Sequence, residues 1–315
     1  MTYAVVIPAL DEAENLPRLA ASLKAAIGHR HVDVVLVDNG STDGTRDVAA
    51  ALGLRVVVPE RRLRISALRN LGAAETTGAV IVFLDADMEV SPDYFAQLDE
   101  AFADDRVAAL GVVEEVPREA PWFAAVWSRR TLARRQGRRR VDFLPGRNIA
   151  VRRIAFNAVG GFSSDLKTSE DKDFVLRLKA SSFESWSIVH PGMLHWGYER
   201  SIWEWVRKEF WRQRSHLAMM ARHDMTLRLL RFPLLCVAHL LLAIAVLASA
   251  PFAPALALAG VALLFAPSLA VTLALRESRR DVGSILGFTA LYAARFVIGG
   301  AAILTEGVQA AQKAE

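Results

Sequence analysis

Hydrophobic positions in the first third of the chain come in short β-branched runs, each closed by Pro, Gly or Asp: Tyr3–Ile7, Val32–Val37, Arg55–Val58 and Val80–Leu84. Runs of this length between turn-forming residues predict strands. Between them Ala13–Ala26, Thr45–Ala51 and Ile65–Glu75 are helical in composition. Alternating β and α elements predict an α/β domain whose mostly parallel sheet is covered by flanking helices. After Arg231 the pattern changes. Three nearly continuous apolar stretches follow, about Phe232–Ala250, Phe252–Leu275 and Val282–Leu304. Each is near the roughly 20 residues that a bilayer-spanning helix requires. The expected organisation is an α/β domain over residues 1–225 and a membrane domain over 226–315.

Composition and charge sharpen this picture. Hydrophobic residues make up 53% of the 315 residues, and the surplus lies in the last quarter of the chain. The net charge is only +4, but arginines cluster at Arg129–Arg140, at Arg207–Arg231 and at Arg276, Arg279 and Arg280. These clusters adjoin aromatic or apolar stretches, which suits anionic lipid head groups or an acidic substrate; no nucleic-acid partner is expected. The single cysteine, Cys236, excludes an internal disulfide or a cysteine metal cluster. The start, MTYAVVIPAL, has no basic region before an apolar core, so it does not read as a signal peptide. The loop with Pro251 and Pro254 lacks Lys and Arg while the outer flanks are basic. The positive-inside tendency then predicts a multi-pass cell-membrane protein with its first domain in the cytoplasm. Three spans would carry the end of the chain to the far side. The third contains Arg295, which would have to face a protein-lined cavity or a lipid phosphate. The segment Pro121–Arg140, with Trp122, Phe123 and Trp127 before a basic run, reads either as a helix lying in the membrane interface or as a solvated charged one.

Three predicted strands end in polar tips: Pro8 to Glu12, Asp38-Asn39-Gly40-Ser41, and Asp85-Ala86-Asp87. In sheets of this kind ligands bind at the carboxyl ends of the strands. In VIVFLDADMEV an apolar strand runs into Asp85, Asp87 and Glu89. Carboxylates so close together call for a cation, and oxygen ligands suit Mg²⁺ or Mn²⁺, commonly shared with substrate phosphates.

Together VVIPALDEAENL, VDNGSTDGT, ALRNLGA, FLDADMEV, PGRNIAVRR and SEDKDFVLRL, in order from Val5 to Leu178, resemble the family-2 glycosyltransferases with their GT-A nucleotide-sugar fold. The resemblance implies a UDP or GDP type sugar donor, a divalent metal (Mn or Mg) and inverting transfer. It places Pro8, Ala9 and Glu12 at the nucleotide base, Asp38 at the base or ribose, Arg69 near the nucleotide, Asp85 at the ribose and Asp87 on the metal. Asp171, supported by Glu170, corresponds to the general base, with Asp173 one register away as its competitor. His195 is a candidate third metal ligand, with His190 as fallback, and Gly146, Arg147 and Asn148 resemble the loop below the acceptor. Relatives acting on polyprenyl phosphate typically lack the Glu-Asp pair, so its presence favours a hydroxyl acceptor on a lipid, glycan or lipid-linked molecule. Processive relatives carry Gln-x-x-Arg-Trp before the membrane; here KEFWRQRSH departs from it, which favours addition of one sugar. A polyprenyl-phosphate transferase and a non-catalytic membrane scaffold are the rival readings. A nucleotidyltransferase would need a basic Gly-rich loop where ALDEAEN stands, and a dinucleotide dehydrogenase would need Gly-x-Gly-x-x-Gly after the first strand.

Overall fold

The computed structural model describes residues 1–132, 137–214, 216–223, 227–275 and 281–311. It divides into two compact units, one of Met1–Pro117 with Arg135–Tyr198 and one of Arg118–Arg134 with Glu199–Glu315.

The first unit is a nine-stranded sheet with helices on both faces. Its strands are β1 (Tyr3–Ala9), β2 (Val32–Asp38), β3 (Arg55–Val57), β4 (Val80–Leu84), β5 (Met88–Glu89), β6 (Val107–Glu115), β7 (Arg139–Arg140), β8 (Asn148–Arg152) and β9 (Glu184–His195). Its helices are α1 (Leu16–Ile27), α2 (Thr45–Ala51), α3 (Ile65–Ala74), α4 (Tyr94–Phe102), α6 (Arg153–Ala158) and α7 (Glu170–Ala180); α5 (Trp122–Leu132) belongs to the second unit. Side chains alternate across a strand, so β1 and β4 feed two cores at once. Val5, Ile7, Val82 and Leu84 pack with Leu16, Leu19 and Phe95 on one face, while Val6, Ile81 and Phe83 pack with Leu68, Phe162 and Phe174 on the other. Burial on both faces is why these strands read as unbroken apolar runs.

The strand order is β3-β2-β1-β4-β8-β6-β9-β5, with β7 beside β9. β1 to β4 are mutually parallel, as the alternating pattern predicts, and β6 is parallel to β9. β8 runs antiparallel between β4 and β6, and the short β5 and β7 run antiparallel on β9, so the sheet is mixed. β5 matters most for the chemistry. It follows Asp87 directly and pairs Met88 with His195, which carries the end of β9 to the end of β4.

The second unit is helical: α5, α8 (Ile202–Arg212), α9 (His216–Met220), α10 (Leu227–Ser249), α11 (Pro254–Leu273) and α12 (Val282–Ala311). Among the described residues three segments are long and apolar enough to cross a membrane: Leu230–Ser249, Pro254–Leu273 and Val282–Gly307. Leu247, Phe252, Leu256 and Leu258 on α10, α11 and the link between them stand exposed, as lipid-facing residues do. Arg276, Arg279 and Arg280 lie outside the described residues.

Arg295 finds a protein partner. Its Nη1 donates to Glu209 Oε2 of α8 at 2.9 Å, and its guanidinium lies over the rings of Trp127 and Phe232. Glu209 is fully buried and also accepts from Arg212 at 2.8 Å. Burial pushes its carboxyl up, but Arg295, Arg212 and Arg130 outweigh that and hold it at about 2. Removing one partner of such a pair strands the other charge, which costs about 3–5 kcal/mol. Glu209→Ala is therefore expected to lower the unfolding midpoint in detergent by on the order of 10 °C; a midpoint within a degree of the parent would show the network to be dispensable.

Within α5, Phe123 and Trp127 are buried, and Trp127 packs edge-on against Trp205 and Tyr292. Of the three rings read as interfacial, only Trp122 is exposed. Residues 133–136 of that segment lie outside the described residues.

Candidate active site

The polar tips of β1 and β2 are stitched to each other. Asp11 and Glu12 donate their backbone N–H groups to Ser41 Oγ (2.9 Å) and Thr45 Oγ1 (2.8 Å), and Thr42 N–H donates to Asp11 Oδ1 at 2.7 Å. Short Asp, Asn and Ser side chains satisfy backbone groups where the chain turns, which is why both loops are rich in them. Asp38 takes part in this stitching. It is fully buried, accepts from the Ser41 hydroxyl and from the N–H groups of Ser41 and Gly40, and lies 3.7 Å from Arg46. Pro8 and Ala9 are also buried at the strand end, while Glu12 is half-buried and faces the acids of β4. Burial pushes the Glu12 carboxyl up to about 7, with Asp87 and Asp85 adding to the rise against the hydrogen bond from Asn15.

Arg69 is the hinge of the site. It projects from α3, is 3% exposed, and spreads its guanidinium between Glu170 Oε1 (2.9 Å) and Asp85 Oδ1 (3.0 Å). Gly146 makes room for it, because a Cβ there would stand 2.6 Å from Arg69 Nη1. Next to it, Arg147 donates through Nε to Glu114 Oε1 at 2.8 Å, and Nη2 donates to the same oxygen. Glu114, at the end of β6, is buried; burial pushes its carboxyl up, but Arg147 and His195 outweigh this and hold it below the usual range. Sequence reasoning passed over Glu114. The available signal was an acidic pair closing the apolar run of β6, the same pattern that marked β4. Asn148 is turned away from these groups. It is 1% exposed, accepts from Tyr94 and donates to Val112 O, so it fastens β8 inside the fold.

The three acids of FLDADMEV separate. Asp85 meets Arg69, and Glu89 accepts from the Trp196 indole at 2.8 Å. Asp87 turns the other way, its Oδ2 lying 3.4 Å from His195 Nε2. Burial pushes the Asp87 carboxyl up, but His195 and Arg147 outweigh this and hold it low. Its other oxygen, Oδ1, is buried and has no hydrogen-bond partner among the described residues. Gly197 packs against this carboxylate so closely that a Cβ would lie 1.8 Å from Oδ2. The side chain of His190 lies outside the described residues.

α7 begins at Glu170 after Ser169, which has the left-handed φ of 64°. Asp171 accepts from Gly146 N–H (3.1 Å) and from its neighbour Lys172 N–H, so the PGRN loop and the Glu-Asp segment touch as their motifs imply. Burial and the adjacent Glu170 push the Asp171 carboxyl up to about 7. Asp173 has a different role. It is 1% exposed and is held by Ser163 Oγ (2.6 Å) and Arg177 Nε (2.9 Å) within the helix packing.

One region of the first unit thus holds Glu12, Asp85, Asp87, Glu114, Glu170 and Asp171, with Arg69, Arg147 and His195 among them. That surplus of acid and the unpartnered Asp87 Oδ1 fit a divalent cation. Asp87 and His195 would supply two donors, and no group of three His, Cys, Asp or Glu side chains is arranged for a metal among the described residues. Such a two-donor site fits a cation that completes its shell with water and substrate phosphate.

Residues 4–160 match the model of glycosyl transferase family 2. The chain is 26% identical over 205 residues to the succinoglycan biosynthesis protein ExoA of Rhizobium meliloti, covering 61% of this chain and 62% of that one. It is 30% identical over 185 residues to the pre-mycofactocin glycosyltransferase of Mycobacterium tuberculosis, covering 55% and 38%. The match therefore spans less than two thirds of the length of these curated relatives. Among solved structures, the mannosyltransferase PcManGT from Pyrobaculum calidifontis, in complex with GDP-Man and Mn²⁺, shares the fold. Its TM-score is 0.62 at 18% identity, with 96% of this chain and 86% of that chain covered.

Proposed function

We propose that this chain, which belongs to glycosyl transferase family 2, moves one sugar from a UDP or GDP type nucleotide sugar to a hydroxyl of a lipid, glycan or lipid-linked acceptor, with inversion at the anomeric carbon. The observation that carries this reading is Asp171. It is a carboxylate raised to about 7, touching Gly146 and linked through Glu170 and Arg69 to Asp85 at the acidic strand end. A base with a pKa near the working pH is suited to taking the acceptor's hydroxyl proton as that oxygen attacks. Asp173, buried and committed to Ser163 and Arg177, is not free for that task.

Asp87 and His195 would hold Mn²⁺ or Mg²⁺, which when bound neutralises the charge developing on the leaving diphosphate. Asp85 and Arg69 would orient the nucleotide beside it, and the Glu114–Arg147 pair places a second guanidinium near the two aspartates. Glu12 would close the base side of the pocket. Asp38 would act on the base through the loop it organises, not through a free carboxylate. The second unit would anchor the enzyme to the cell membrane, with the catalytic unit on the cytoplasmic, arginine-flanked side.

The deciding experiment is binding of UDP, GDP and dTDP to the purified protein with and without Mn²⁺. Metal-dependent binding of one of them is expected; binding of none would favour the scaffold reading. Gly197→Ala offers an independent check. Its new methyl group must displace the Asp87 carboxylate, so metal-dependent affinity is expected to fall by about tenfold or more, by analogy with losses at metal-supporting positions. The unfolding midpoint should stay within a few degrees. Unchanged affinity would remove Asp87 from the metal.

A further inference from the structure

The three apolar helices differ in what surrounds them. Residues 232–275 contain no Asp, Glu, Lys or Arg. Within them α10 and α11 form a tight hairpin, Gly260 standing so close to α10 that a Cβ would lie 2.5 Å from Val246. Among the described residues of α10 the buried ones are Pro233, Cys236 and His239, and beyond Leu240 every one is at least partly exposed. The far end of the hairpin is therefore an apolar finger with its side chains turned outward.

α12 has the opposite character. Between Gly287 and Ile303 a single residue, Ala290, is exposed. Protein surrounds it: Gly299 and Gly300 press against Cys236, Thr289 meets Thr272, and Tyr292 packs on Trp127. Three of its polar groups are answered by charged or polar segments outside the hairpin. Ser284 accepts from Arg129 of α5, Arg295 donates to Glu209 of α8, and Glu306 accepts from Leu217 and Ala218 N–H at α9. A helix apolar on all sides is either a membrane span or a core helix, and the sequence cannot tell them apart. Here the neighbours decide. α8 carries Glu204, Arg207 and Lys208 on the same short helix as Glu209, and it cannot lie at mid-bilayer depth beside a spanning α12.

We infer that, among the described segments, the α10–α11 hairpin alone crosses the bilayer, and that α12 is the core helix of the second unit on the side from which the hairpin enters. The bilayer covers the outward leucines of the hairpin. The two apolar windows, Leu230–Ser249 and Pro254–Leu273, are 20 residues each, about 30 Å at 1.5 Å per residue, and α12 meets them in the half nearer that side, at Cys236, Leu240 and Thr272, so it reaches part of the way into the hydrocarbon without crossing it. The crossing number is two, so chain before α10 and chain after α12 share one face of the membrane. This replaces the three-span expectation and does not depend on the transferase reading.

The test is cysteine accessibility in the full-length protein. Cys236→Ala supplies a background without thiols, and single cysteines are then placed as Lys24→Cys on exposed α1, Phe252→Cys at the hairpin tip and Ala314→Cys near the chain end. Each is treated with a membrane-impermeant maleimide in right-side-out and inside-out vesicles, after its unfolding midpoint is checked against the parent. Positions 24 and 314 are expected to label in one orientation and position 252 in the other. Labelling of 314 together with 252 would establish three crossings and overturn the inference. Labelling of all three in one orientation would also overturn it, because the hairpin would then not cross.

Discussion

Asp87→Asn is expected to leave a folded protein that binds its nucleotide diphosphate no better with Mn²⁺ than without it and turns over about a thousandfold more slowly or worse. The size follows from the task. A divalent cation on the departing diphosphate is worth several kcal/mol, and a thousandfold loss corresponds to about 4 kcal/mol. The substitution is nearly isosteric, so packing against Gly197 and the contact with His195 are kept. What is lost is the charge of a carboxylate whose buried Oδ1 has no partner among the described residues. Metal-titrated binding and steady-state turnover, measured together, check the prediction. If Mn²⁺ still improved nucleotide binding in the variant, the cation would sit elsewhere.

Asp171→Asn is expected to separate binding from chemistry. Donor binding with metal should stay within a few-fold of the parent, while turnover falls by about a hundredfold to ten-thousandfold, the usual contribution of a positioned base. The parent should also show an acid limb. Burial and Glu170 hold the Asp171 carboxyl up to about 7, and a base acts only when ionised. The maximal rate should therefore fall about tenfold per pH unit below that value and level off above it. Glu12 titrates in the same range, but it faces the nucleotide side with Asp85 and Asp87, so its protonation should show in donor affinity. Measuring at saturating donor keeps the two apart. Full activity in Asp171→Asn would discard the base assignment and move an already ionised phosphate acceptor into first place.

Much of the site was legible because its residues stand where strands end. The tips of β1, β2 and β4 are fixed by local turn chemistry, and a parallel sheet gathers such tips at one edge without regard to the rest of the fold. Asp85, Arg69, Glu170 and Asp171 meet as their motifs imply. Roles that depend on side-chain direction were not legible. Asp38 and Asn148 carry the expected names in the expected places, yet both are buried among their own loops and strands. Glu89 belongs to the same acidic run as Asp87 but is taken by Trp196. Glu114 entered through β6, far along the chain from the groups it serves, and no local pattern links it to Arg147.

The sequence by itself determined the α/β alternation, the acidic strand ends, the family motifs and the apolar character of the last quarter of the chain. Each of these is a property of neighbouring residues or of a regular period along the chain. Tertiary structure alone decided which carboxylate is free, which is spent on an arginine or an indole, and which of three similar apolar helices protein covers. Those outcomes depend on contacts between residues distant in sequence, such as Arg69 with Glu170 and Glu209 with Arg295. Period and composition carry no record of such contacts, because burial that satisfies a charge and burial that excludes water leave the same apolar pattern in the chain.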